Sequence, residues 1–126
     1  MELTRIRPKS RQYIQKYSPA GFTVSDVNFD GPILVFPSEV ILWDVISLEC
    51  IEPKIFAPVL LRSSDIDLCL FGSGKAMQTA LGPVRAAFRE QSIGFEIMDT
   101  GAACRTFNVL LAENRSVVGA LFPPQD

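Results

Sequence analysis

Two short stretches of this sequence carry residue types that could bind or react. The first is Gly72-Ser73-Gly74-Lys75, small residues with a hydroxyl and a cation that follow an apolar run. Amides exposed in such a turn can line an anion site. The stretch nevertheless fits neither phosphate-binding template. A P-loop needs four residues between its first glycine and Gly-Lys-Ser/Thr, and the dinucleotide fingerprint needs a glycine where Met77 stands. The expectation is a tight turn at a strand's end that lines a shallow cleft.

The second stretch is Met98-Asp99-Thr100-Gly101-Ala102. Asp-Thr-Gly is also the tripeptide in which two aspartic-protease carboxylates share a proton. That chemistry belongs to an all-β frame, whereas here the tripeptide is followed by a helical stripe. Asp99 or Thr100 is therefore expected to cap a helix, with Gly101 letting the chain turn. A helix start leaves free N–H groups and a partial positive charge. Arg105 lies one turn on and Asn108 one step further along the same side. These donors could converge on a carboxylate or another acidic group. Alternatively, Arg105 pairs with Asp99 and pins the helix start.

The candidate ligand- or partner-binding residues are thus Gly72, Ser73, Gly74, Asp99, Thr100, Arg105 and Asn108. No nucleophile–base pair accompanies them, so binding is expected rather than catalysis, with no catalytic residue assigned. No cofactor is expected. The chain has no histidine, which removes Ser-His-Asp and Cys-His nucleophiles and the common zinc sites. Cys50, Cys69 and Cys104 are too far apart for metal-ligand spacing. All three read as reduced thiols, which suits a cytoplasmic location, or the mitochondrial matrix in a eukaryote.

The elements that must position these residues follow from the apolar pattern. The 126 residues are 48% apolar and 21% charged, the composition of one globular domain. Ile33-Leu34-Val35-Phe36 and Val40 to Val45 read as strands, and Trp43 reads as an anchor. Gly21 to Val24 and Val27 to Phe29 read as a small hairpin. Glu52-Pro53 opens a helix that Pro58 should shorten, kink or split. From Leu68 onward the pattern alternates strand, helix, strand, helix, strand. The helices run from Gly82-Pro83 and from about Gly101 to Glu113, and the strands cover 68–71, 93–98 and 117–122. Continuously apolar strands of this kind are covered on both faces. The expected fold is α/β, a mixed sheet with helices packed on it.

Charge divides the chain unevenly. Residues 1–19 carry Arg5, Arg7, Lys9, Arg11 and Lys16 against Glu2, a net +4, whereas residues 20–126 carry −6. The expected organisation is a loosely ordered basic arm over 1–19 and a single α/β domain over 20–126. The arm offers a peripheral contact to an anionic partner or lipid surface. No segment approaches the length of a transmembrane span, and no secretory signal is recognisable. An acidic body without a reading motif argues against nucleic acid.

Further residues carry a resemblance. They are Gly21-Phe22, Gly31 with the Ile33-Leu34-Val35 run, Pro37, Trp43, Gly72-Ser73-Gly74 and Gly94 to Thr100. Above all they include Ala103-Cys104-Arg105-Thr106-Phe107-Asn108-Val109-Leu110. Over about residues 20–122 the chain resembles a domain-of-unknown-function family. That family is shared by mitochondrial NADH dehydrogenase (complex I) assembly factor 3 and by many small bacterial and archaeal proteins. The resemblance implies a single three-layer α/β domain, a central mixed sheet of about five strands, one of them antiparallel, flanked by helices and a small β-hairpin, and it transfers no catalytic residue. Members often carry Tyr at the position of Phe107 and Thr at that of Ser73. The implied role is a non-catalytic interaction domain, an assembly or accessory factor for a membrane-associated, respiratory-type complex with a protein partner. The alternative is a small-molecule or anion binder, or a minor enzyme, using the cleft at Gly72–Gly74 and Thr100–Asn108.

Overall fold

The computed structural model describes residues 12–45, 51–74 and 81–124. Arg5, Arg7, Lys9, Arg11, Cys50 and Lys75 lie outside the described residues. Eight strands are present there: β1 Ile14–Ser18, β2 Gly21–Val24, β3 Val27–Asp30, β4 Ile33–Val35, β5 Val40–Leu42, β6 Leu68–Ser73, β7 Gly94–Met98 and β8 Val117–Phe122. The α-helices are α1 Ala57–Leu60, α2 Gly82–Glu90 and α3 Thr100–Ala112.

The mixed central sheet has the order β5-β4-β8-β6-β7. β6 pairs parallel with both β7 and β8, and β4 pairs antiparallel with β8 and β5. One strand therefore opposes the other four. The chain steps outward from β6 to β7 through α2, then back past β6 to β8 through α3. Right-handed crossovers in opposite directions put their helices on opposite faces.

Alternation along the strands divides the core. Leu34, Phe71, Phe95, Val118, Ala120 and Phe122 pack beneath α1 and α2. Ile33, Val35, Leu70, Val117 and Leu121 pack on the other face, with Ala103, Cys104, Phe107 and Leu111 of α3. Both faces are covered, which is why β8 is apolar throughout. Phe56 is fully buried at the centre of the first cluster, with ring contacts of 5.3–5.6 Å to Trp43, Phe71, Phe88 and Phe95. Trp43 is fixed in turn by its Nε1–H, which donates to Ile55 O at 2.7 Å.

The segment at Pro53 is split as the prolines demand. A 3-10 turn, Pro53–Phe56, hands over to α1, and Pro58 sits in the first turn of α1 where its missing N–H costs nothing. The hairpin expected at 21–29 has a third strand. β1 pairs antiparallel with β2, and β2 with β3, giving a separate three-stranded sheet. β1 lies inside the segment that its charges mark as an arm. Lys16 is exposed, but Ile14 is fully buried and Tyr17 nearly so, on the side facing α3. The positive charge there belongs to the outer face of an ordered strand, so packed structure begins before residue 20.

Candidate functional site

The topology brings most of the candidate residues to one place. Gly72 pairs with Met98 at the carboxyl end of β6 and β7, and Ser73 pairs with Phe122 at the end of β8. The helices that follow β6 and β7 pack on opposite faces of the sheet, the arrangement that leaves a crevice at strand ends in open α/β sheets.

Local chemistry fills this corner from within. β6 runs through Gly72 and Ser73, so the turn begins only at Gly74, whose φ of +86° suits glycine. Gly74 N–H donates to Thr100 Oγ1 at 2.8 Å, and Thr100 N–H donates to Gly74 O at 2.8 Å. The Thr100 hydroxyl donates onward to Phe122 O at 2.6 Å. Thr100 thus joins the ends of β6 and β8 to the start of α3. Ser73 is also buried, and its hydroxyl reaches Met98 O at 3.4 Å. A Cβ on Gly72 would stand 2.9 Å from Leu121, 3.1 Å from Ala103 and 3.2 Å from Thr100. The glycine therefore lets α3 sit down on the sheet.

Asp99 is the N-cap, as the sequence suggests. Its carboxylate accepts from Ala102 N–H at 2.8 Å, satisfying one of the helix's orphan donors. It does not pair with Arg105. Ion pairs among the described residues include Lys54–Glu52 at 3.6 Å and Arg62–Glu39 at 3.3 Å, but no Asp99–Arg105 pair. Arg105 is exposed, and its guanidinium lies over Gly101 beside the Tyr17 hydroxyl. A Cβ at Gly101 would come within 2.6 Å of that hydroxyl and 3.2 Å of the guanidinium.

Asn108 is drawn away from the corner. Its Oδ1 accepts from Ile14 N–H at 2.9 Å, and its Nδ2 donates to Ile14 O at 3.0 Å. Both ends of the amide thus clamp β1 onto α3. Of the seven candidates, Asp99 and Arg105 are exposed, and Asp99 also serves as the helix cap.

The thiols that can be described are structural. Cys69 and Cys104 are free and fully buried. Burial pushes Cys69 far up, and it pushes Cys104 up to about 12 despite the opposing field of Arg105. Among the described residues no cluster of three His, Cys, Asp or Glu could hold a metal ion.

Two surface features lie elsewhere. A concavity of about 290 Å³ covers the outer face of the three-stranded sheet over Gly21, between Lys16, Thr23, Asn28 and Asp30. A groove of about 230 Å³ runs between Arg85 and Arg89 over Ile93 and Phe95. The pairing of Arg85 with Arg89 on an exposed helical face is visible in sequence. The apolar floor supplied by the next strand is not.

The sequence model of the family described as "Protein of unknown function (DUF498/DUF598)" matches residues 14–122. NADH dehydrogenase (ubiquinone) 1 alpha subcomplex assembly factor 3 of Rattus norvegicus is 34% identical over 112 residues, 89% of this chain and 60% of the relative. The Xenopus tropicalis protein of the same name is 30% identical over 125 residues, 98% of this chain and 68% of the relative. The chain spans about 60% of the length of the rat relative. A crystal structure described as an outer membrane protein from Bartonella henselae superposes with a TM-score of 0.84 at 34% identity. That match covers 92% of this chain and 98% of the other.

Proposed function

This chain belongs to the DUF498/DUF598 protein family, and from that premise we propose that it is a non-catalytic assembly or accessory factor for a membrane-associated respiratory complex. One observation carries the reading. Relatives named as assembly factors of NADH dehydrogenase match 89–98% of this chain, so the resemblance extends over the domain and not over a motif. The geometry supports it. Thr100, Asp99 and Asn108, which a small-molecule cleft would need, spend hydrogen-bonding groups on the fold itself. Arg105 is exposed and in no ion pair with Asp99, which leaves its guanidinium for a partner.

The proposed location is the cytoplasm, or the mitochondrial matrix in a eukaryote. Buried, unpaired Cys69 and Cys104 agree with a reducing compartment. No helix among the described residues is long and apolar enough to cross a membrane. In this reading the cationic residues from Arg5 to Lys16 provide a contact to an anionic membrane surface or partner.

The test uses the full chain, tagged and expressed at its natural level. Capture at low salt should recover subunits of NADH dehydrogenase by mass spectrometry. Cells lacking the protein should accumulate incomplete complex. A normal level of mature complex in those cells, with no subunit recovered, would end the proposal. Thermal-shift screening with phosphates, nucleotides and carboxylates addresses the ligand-binding alternative. A saturable rise in melting temperature with one metabolite would favour it.

A further inference from the structure

β7 lies at the edge of the central sheet. Gly94 N–H donates to Asp67 O at 2.8 Å, on the β6 side. Residues of a parallel strand alternate between its two sides. Phe95 and Ile97 therefore direct their N–H and C=O groups outward, where no strand among the described residues takes them. Open strand edges of this kind are templates for another strand.

The groove beside this edge is charged. Arg85 and Arg89 of α2 stand exposed above Ile93 and Phe95. The Arg85 guanidinium lies 5.8 Å from the centre of the Phe95 ring. Neither arginine is in an ion pair among the described residues. Their spacing also fits a strand. Four residues of helix advance about 6 Å, and two residues of strand advance about 6.6 Å. Alternate side chains of an added strand would meet the two guanidiniums in turn. A second copy of this chain is a poor fit, because its β7 offers only Glu96, on the sheet face opposite Phe95.

We propose that the outer edge of β7 takes an extended acidic segment of a partner protein as an added strand, with carboxylates at alternate positions seated against Arg85 and Arg89. This names the partner chemistry of the interaction role above and rests on that role. Main-chain hydrogen bonds to Phe95 and Ile97 supply affinity. The two guanidiniums select acidic residues and set the register.

The probe is a capped, fluorescently labelled hexapeptide, Val-Glu-Val-Glu-Val-Thr, titrated against the full chain. Saturable binding is expected, with slowed hydrogen exchange at the Phe95 and Ile97 amides. The Arg85→Ala/Arg89→Ala double variant should bind at least about tenfold more weakly. N-methylation of alternate peptide amides should abolish binding while leaving the charges in place. Absence of binding up to about 1 mM, equal affinity for the double variant, or equal binding of the N-methylated peptide would each overturn the proposal. Concentration-dependent protection of Phe95 and Ile97 without peptide would assign the edge to a second copy and overturn it too. In the capture experiment, an Arg85→Ala/Arg89→Ala chain that still recovers the same subunits removes this site but leaves the assembly role. Failure of the unaltered chain to recover them removes the role itself.

Discussion

Gly74 and Thr100 stand 26 residues apart and hold each other by two hydrogen bonds. Each residue gives its main-chain N–H to the other, one to the Thr100 hydroxyl and one to the Gly74 carbonyl. The same hydroxyl continues to Phe122 O. One buried side chain therefore sets the spacing of two strand ends and a helix start.

Thr100→Val keeps the shape and removes the hydroxyl. Gly74 N–H and Phe122 C=O lose this partner in a buried site, which should cost about 2–4 kcal/mol. Thr100→Ser restores the hydroxyl and should recover most of that loss. Urea denaturation of the three proteins checks the order. Equal stability of the valine and threonine forms would show that the hydroxyl is dispensable.

Asn108→Ala should free β1 from α3. Two hydrogen bonds to Ile14 are lost, for a destabilisation of about 1–3 kcal/mol. The change should be local. Hydrogen exchange at the Ile14 amide should quicken strongly, while amides of β8 keep their protection relative to global unfolding.

Arg105→Ala should change stability by less than about 1 kcal/mol, since the guanidinium is exposed. Phe107→Ala, on the fully buried face of the same helix, should cost about 3–5 kcal/mol. If Arg105 contacts the partner, its loss lowers recovery of the complex at unchanged melting temperature. A fall in melting temperature matching that of Phe107→Ala would make Arg105 structural.

The thiols of Cys69 and Cys104 should resist a thiol reagent at neutral pH until the chain unfolds. Their alkaline behaviour has a definite sign. Burial raises the folded-state value of Cys104 from 9.0 to about 12, and that of Cys69 also goes up. Above pH 9.0 the unfolded chain releases these protons while the folded chain keeps them. Stability should therefore fall as pH rises from 9.0 toward about 12, by up to about 1.4 kcal/mol per pH unit for each thiol. Replacing both cysteines by alanine should flatten this part of the pH profile, as followed by urea midpoints. An unchanged slope would show that other groups dominate.

The sheet and helices were legible because their signals are local. The apolar runs at 68–71 and 117–122 mark strands buried on both faces, and Pro53 and Pro58 announce a broken helix. Asp99 as a cap was equally open to reading. The fate of Asn108 was not. Its partner, Ile14, lies 94 residues away, and no spacing rule links them. β1 was concealed for a different reason. Its outward Lys16 belongs to a run of basic residues, and buried Ile14 and Tyr17, three apart, share a face only through the irregular register between Ile14 and Lys16, so no period-2 pattern marks the strand. That the Thr100 hydroxyl takes the Gly74 N–H was not legible either, because the two residues stand 26 positions apart and no spacing rule joins them.

The central place of β8 bears on how the protein is made. β8 is late in sequence, yet it joins β4 to β6. Until residues 117–122 leave the ribosome, the antiparallel half of the sheet has no ladder to the parallel half. A nascent chain must wait with the inner edges of β4 and β6 both unpaired. Folding is therefore deferred until nearly the whole domain has been translated, and the waiting segment is the form of this protein most in need of a chaperone.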